Sequence, residues 1–161
     1  MNEDVKYISY EEAISVYAKM IDASDGGFDG VRDEGGIRAA LEFVQNDMYY
    51  PNFSDKLCSL VYKFCSGHYF NDGNKRIALT LGTYFLHKNS YFWQATIFMR
   101  QMESIVYHVA ASNIDKDLLL RIMTCFMNGE DYDEELKIDI ANAMSRGELG
   151  VRGEDYDNEF E

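Results

Sequence analysis

Between His68 and Arg76 the chain places a histidine, a carboxylate, a glycine, an amide and two cations in nine residues, His68-Tyr69-Phe70-Asn71-Asp72-Gly73-Asn74-Lys75-Arg76. Such a set suits the handling of a nucleotide's phosphates. Neutral near pH 7, an imidazole takes a proton from an attacking hydroxyl, and this is the role expected of His68. Asp72 either caps the helix that follows or holds a divalent metal that bridges phosphate oxygens, and the two roles are compatible in space. Gly73 lets a phosphate approach the backbone N–H groups closely. Asn74 orients the loop or binds the ligand. Arg76 offers a bidentate fork to phosphate, and Lys75 a mobile point charge. Phe70 points into the core and has no chemistry. The residues alone therefore read as phosphate binding plus a base, which fits phosphoryl or nucleotidyl transfer.

The flanking elements must hold these groups in a turn. Leu57, Leu60, Val61 and Phe64 before the cluster have helical spacing, as do Ile77, Ala78, Leu81, Tyr84 and Phe85 after it. The cluster thus joins two buried helices, and the N-terminus of the second presents free N–H groups to an anion. Upstream, Ser9-Tyr10-Glu11-Glu12 has capping-box spacing, with Ile14, Tyr17, Ala18 and Ile21 behind it, so a first helix ends before Gly26-Gly27. A turn-rich loop over Gly27–Arg32 leads to a second helix from Asp33 or Glu34, with Ile37, Ala40, Leu41 and Val44 inward. The stretch Asn46–Asn52, with Tyr49, Tyr50 and Pro51, reads as extended or hairpin-like. Ser54 or Asp55 caps the third helix. The fourth ends near Asn89-Ser90, and Tyr91, Phe92 and Trp93 form an aromatic patch expected to pack beneath it. A fifth helix carries Met102, Ile105, Val106 and Val109, and Asp115 caps a sixth with Leu118, Leu119, Ile122 and Phe126 inward. Past Gly129, Leu136, Ile140 and Met144 make a short amphipathic stripe before a Gly- and acid-rich end expected to be disordered.

The 161 residues fit one α-rich domain over 1–129 and an acidic extension over 130–161. The net charge of −13 argues against direct nucleic-acid binding, whose phosphates need a basic footprint. Most of that charge lies in residues 130–161, with 12 acidic and 3 basic side chains. No apolar run has membrane-spanning length, and no signal peptide opens the chain. Cys58, Cys65 and Cys125 sit among apolar neighbours and read as buried thiols of a reducing cytoplasm.

The central run resembles the signature of the Fic/Doc (Fido) family, His-x-Phe-x-(Asp/Glu)-(Gly/Ala)-Asn-(Gly/Lys)-Arg, matched at His68, Phe70, Asp72, Gly73, Asn74, Lys75 and Arg76. The upstream run Gly26-Gly27-Phe28-Asp29-Gly30-Val31-Arg32-Asp33-Glu34-Gly35 resembles the Gly-Gly…Gly-(Ile/Val)-Arg-Asp stretch of death-on-curing (Doc) toxins, and the likeness covers about residues 7–128. The resemblance implies an all-α, compact helical bundle with a small hairpin-like flap at Asn46–Asn52 that aligns the target. It implies that His68 deprotonates a target hydroxyl, that Asp72 holds Mg²⁺, and that Gly73, Asn74, Lys75 and Arg76 bind the phosphates of ATP or another nucleoside triphosphate. A lysine at position 75 is the Doc-type choice. It implies phosphorylation of a protein Ser, Thr or Tyr hydroxyl, with elongation factor Tu as the family's target. Protein AMP-transfer on the same scaffold is the alternative, and a catalytically silent nucleotide- or protein-binding module is a third reading. The family's inhibitory Ser/Thr-x-x-x-Glu pattern is absent from this chain, so the resemblance implies a separate antitoxin partner. An acidic segment around Glu134–Met144 could also mask the cationic site, although a solvated acidic tail is the simpler reading.

Overall fold

A computed structural model describes residues 4–23 and 30–158, with the side chains of the last helix described through Gly147. Seven helices follow one another among the described residues: α1 Tyr10–Ala23, α2 Glu34–Phe43, α3 Phe53–Ser66, α4 Asn74–Lys88, α5 Phe92–Ala110, α6 Lys116–Asn128 and α7 Glu134–Asn158. The expected all-α class holds. Gly26, Gly27, Phe28 and Asp29, part of the upstream run, lie outside the described residues.

At the centre α3 and α4 pack together, with α5 and α1 against α4 and α6 against α3. The reason is the breadth of their apolar surface. Leu57, Cys58, Leu60, Val61, Phe64 and Cys65 are buried along α3, and Ile77, Ala78, Leu79, Leu81, Phe85 and Leu86 along α4. Helices that are apolar over so much of their circumference must be covered on several sides. The outer helices bury single stripes, Ala13, Tyr17 and Ile21 on α1 and Ile37, Ala40 and Leu41 on α2. Ala18, expected on the inner face of α1, is exposed.

Three expectations need correction. The Asn46–Asn52 stretch is a compact turn, because the Asn46 side-chain oxygen accepts from the Met48 and Tyr49 N–H groups and the Asn46 carbonyl accepts from Tyr50 N–H. Asn46 wins over the strand-like aromatics by offering the backbone a local acceptor. The β pairing found among the described residues is instead an isolated antiparallel bridge, Val31 to Phe70. Second, Phe92 and Trp93 do not tuck beneath α4; they begin α5 and are exposed. Third, the C-terminal stripe belongs to a helix that extends to Asn158. Leu136, Ile140 and Ala143 are buried where α7 meets α5 and α6. Among the described residues α7 makes no contact with α4, so the Glu134–Met144 segment is not laid over the cationic cluster.

Candidate active site

The cluster lies in the α3–α4 connection, where the polypeptide turns through Gly67–Gly73. His68 has φ +52°, a left-handed conformation that non-glycine residues seldom adopt. Backbone strain of this kind persists only where the surroundings enforce it. Those surroundings are visible. Phe70 is buried, its ring stacked on Tyr17 at 4.0 Å and packed near Phe64 at 6.5 Å. Asn74 grips the same residue twice, accepting from Phe70 N–H at 3.1 Å and donating to Phe70 C=O at 3.0 Å. Tyr17 donates its hydroxyl to Asp72 C=O at 3.0 Å. The side chains of His68 and Asp72 stay outward and exposed.

A second brace comes from the segment before α2. Arg32 and Asp33 donate their N–H groups to Tyr69 C=O at 2.8 and 3.0 Å, and Asn71 N–H donates to Gly30 C=O at 3.0 Å. Gly30 has φ +145°, and a Cβ there would lie 2.8 Å from the Asn71 side-chain nitrogen. Asp33 then caps α2, accepting from Gly36 N–H at 2.8 Å. The upstream Gly-Val-Arg-Asp run thus supports the loop through its backbone.

At the start of α4 the helix is capped by Gly73 in the left-handed region, φ +80°, with no side-chain hydrogen bond and no acidic residue in the first turn. Ser9, Asp33, Asp115 and Asp133 each accept from a first-turn N–H of their helix, while α5, like α4, begins without a side-chain cap, on Tyr91. The first turn of α4 instead carries Lys75 and Arg76, both exposed. Unfilled N–H groups and the positive end of the helix dipole therefore occur in a turn that also carries two cations. A Cβ on Gly73 would meet the Met20 methyl at 3.1 Å, so a side chain there is strained and crowded. Lys75 leans toward α5, its ammonium 5.7 Å from the Tyr107 ring centre. Arg76 borders an apolar groove of about 600 Å³ between α1 and α4 that ends near His87.

The structure brings all six expected residues, His68, Asp72, Gly73, Asn74, Lys75 and Arg76, to this corner. Asn74 is there as a brace, since both ends of its amide are occupied by Phe70. Tyr17 and Gly30 also position the loop and were not foreseen; Tyr17 is spaced like any core residue, and only its hydroxyl hints at a second partner. The Asp72 carboxylate makes no hydrogen bond or ion pair among the described residues, and no cluster of three metal-ligating side chains occurs there. Cysteine chemistry is not offered, because burial pushes the Cys58 thiol up to about 12 and the Cys65 thiol up to about 11.

Residues 7–86, which span α1 through most of α4 and the whole of this corner, match the family model of the Fic/DOC family. A protein of Mycolicibacterium smegmatis named Toxin Doc is 33% identical over 96 residues, 57% of this chain and 74% of that protein. A protein of Escherichia phage P1 named Protein kinase doc is 35% identical over 88 residues, 53% of this chain and 69% of that protein. The chain belongs to the Fic/DOC family.

Proposed function

We propose that the chain is a Doc-like toxin that transfers a phosphoryl group from ATP, or another nucleoside triphosphate, to a protein hydroxyl. One observation carries the phosphate half of this reading: α4 begins without a side-chain cap, on a left-handed glycine, with Lys75 and Arg76 in its first turn. His68, exposed and set six residues ahead of the helix, is the base that takes the proton of the target hydroxyl. That oxygen then bonds to the terminal phosphorus, and the bond to the bridging oxygen of the leaving diphosphate breaks.

Asp72 fits a hard cation, since its carboxylate is exposed and has no partner among the described residues. A lone carboxylate suits Mg²⁺, which commonly takes one or two carboxylates together with phosphate oxygens and waters. Bound there, Mg²⁺ supplies charge neutralisation at the phosphate oxygens. Gly73 and the first N–H groups of α4 cradle the phosphate, Arg76 and Lys75 add charge, and Asn74 keeps the loop in register. Lys75, its ammonium 5.7 Å from the Tyr107 ring centre, adds bulk at the start of α4 that a glycine would not. That crowding favours phosphoryl over adenylyl transfer. The relatives' names support the toxin and kinase readings, and with them a separate antitoxin chain. The cytoplasm, where thiols stay reduced, is the compartment that Cys58, Cys65 and Cys125, all free, fit.

The test is intact-mass analysis of elongation factor Tu after incubation with the chain, Mg²⁺ and ATP, beside His68→Ala. A phosphate-sized gain that disappears in the variant is expected. An AMP-sized gain replaces phosphoryl by adenylyl transfer, and a gain that survives in His68→Ala removes His68 as the base.

A further inference from the structure

Lys75 is the second residue of α4, next to Arg76 and at the positive end of the helix dipole, so its ammonium stands among like charge. No carboxylate pairs with it among the described residues. Its partner there is a neutral ring. Tyr107 of α5 has its ring centre 5.7 Å from the ammonium, inside the roughly 6 Å reach of a cation–π contact. A second observation puts Lys75 on this side of α4. Burial pushes the Cys65 thiol up to about 11, and the Lys75 charge pulls against that rise. Cys65 in turn ties α3 to α5, its thiol donating to Val106 C=O at 3.3 Å. Lys75, Cys65 and Tyr107 therefore meet where α3, α4 and α5 pack together.

Tyr107 is 52% exposed, yet it is braced. Val106 and Val109 beside it are buried and fix this turn of α5 on the core. The His108 ring meets the Tyr107 ring edge-on, with centres 5.3 Å apart. His108 is itself held by the turn that follows α5. The Asn113 amide nitrogen lies 3.1 Å from His108 Nδ1, and the Asn113 and Ile114 N–H groups donate to His108 C=O at 2.8 and 3.1 Å. The chemistry of this partner matters. A carboxylate in its place would neutralise the ammonium and compete with an incoming phosphate. The electron-rich face of a ring attracts the cation and leaves its charge intact. It also confines a side chain that otherwise gives up much rotamer freedom when it binds.

We propose that Tyr107 is a positioning residue for the donor nucleotide: its ring holds the Lys75 ammonium beside the start of α4, confined but not neutralised, ready for a phosphate. Tyr107 lies outside the His68–Arg76 run, on a different helix, and acts through Lys75 alone. The inference rests on the phosphate-binding role of Lys75 proposed above.

The Kd of the full chain for ATP with Mg²⁺, measured by titration calorimetry, tests it through a double-mutant cycle. Tyr107→Leu keeps a helix-compatible apolar side chain and removes the ring. It is expected to weaken binding about two- to fivefold, as the loss of an exposed cation–π contact allows. Tyr107→Phe keeps the ring and should bind like the wild type. In a Lys75→Met background, Tyr107→Leu should change nothing further, because the ring has no cation left to hold. Equal weakening by Tyr107→Leu in both backgrounds overturns the proposal, since Tyr107 then acts independently of Lys75. So does an unchanged Kd in Tyr107→Leu, or a Tyr107→Phe variant as weak as Tyr107→Leu. In each of these cases a wild type that binds ATP leaves the phosphate corner standing. A Lys75→Met variant that binds like the wild type removes the phosphate role of Lys75 and the inference with it. A wild type that binds no ATP removes the nucleotide reading altogether.

Discussion

Asn74 opens α4, and each end of its amide bonds to Phe70, at 3.1 and 3.0 Å. Its carbonyl oxygen satisfies a partly buried N–H and its NH₂ group a partly buried C=O, so a replacement must satisfy both. Asn74→Ala leaves two backbone groups unpaired, which costs roughly 1–3 kcal/mol for each group that water cannot reach. We expect a lower Tm and a larger proportional loss of nucleotide affinity, since the loop that carries Asp72 and Gly73 loses its tie. Asn74→Asp keeps the acceptor for Phe70 N–H but sets a carboxylate against Phe70 C=O. It is expected to rescue no more than half of the stability loss, measured by thermal unfolding of the three proteins side by side. A variant that unfolds like the wild type would remove Asn74 from the loop's support.

Helix positions follow from the periodicity of buried residues, which is why α1 to α4 and α6 were foreseen to within a few residues, while α5, read only from Met102 onward, begins ten residues earlier at Phe92. Leu57, Leu60, Val61 and Phe64 announce α3 without help, because a 3.6-residue repeat reports the core face directly. Nothing local in Gly30-Val31-Arg32-Asp33 shows that its backbone will bind Tyr69 and Asn71; that pairing joins residues far apart in sequence. Asn46 was outweighed in the reading by the neighbouring aromatics, although its side-chain acceptor decided the turn. A comparable long-range tie joins α1 to α4, where Glu12 accepts from Lys88 at 2.6 Å and from the Tyr84 hydroxyl. Those donors, Lys88 first and Tyr84 next, hold the Glu12 carboxyl down from its usual 4.5 to about 2. A carboxyl whose folded pKa is depressed contributes its stability above the unfolded value and loses it as pH falls through the folded one. The contribution is thus present above about pH 4.5 and disappears toward pH 2. With the pair partly solvated, about 1–2 kcal/mol is expected once screening is allowed for. Glu12→Gln should flatten the fall of Tm with acid across that window, and an unchanged slope would mean that the tie contributes nothing.

At the scale of the whole molecule, the question is what an acidic C-terminal segment does for a protein that handles phosphate. Residues 130–161 hold 12 acidic and 3 basic side chains, and on charge alone they read as a solvated tail or a mask for the cationic corner. Position decides against the mask for the part that is described, because Leu136, Ile140 and Ala143 are turned into the junction with α5 and α6, away from α4. Arg121 meets Asp139 at 2.6 Å at the edge of that junction, an exposed pair that water screens and that adds little. Close packing continues to Gly147, where even a Cβ would overlap the side chain of Asn113. Apolar burial therefore outweighs charge in placing this helix: Leu136 and Ile140 alone contribute about 3–6 kcal/mol when removed from water. Deleting residues 130–161 should lower Tm steeply by uncovering α5 and α6, and Leu136→Ala alone should cost about 2–4 kcal/mol. Nucleotide affinity of the fraction that stays folded should be unchanged, since the described part of α7 packs on α5 and α6 and makes no contact with α4. A truncated chain that unfolds like the full one and binds nucleotide more tightly would restore the mask and refute a structural role for α7.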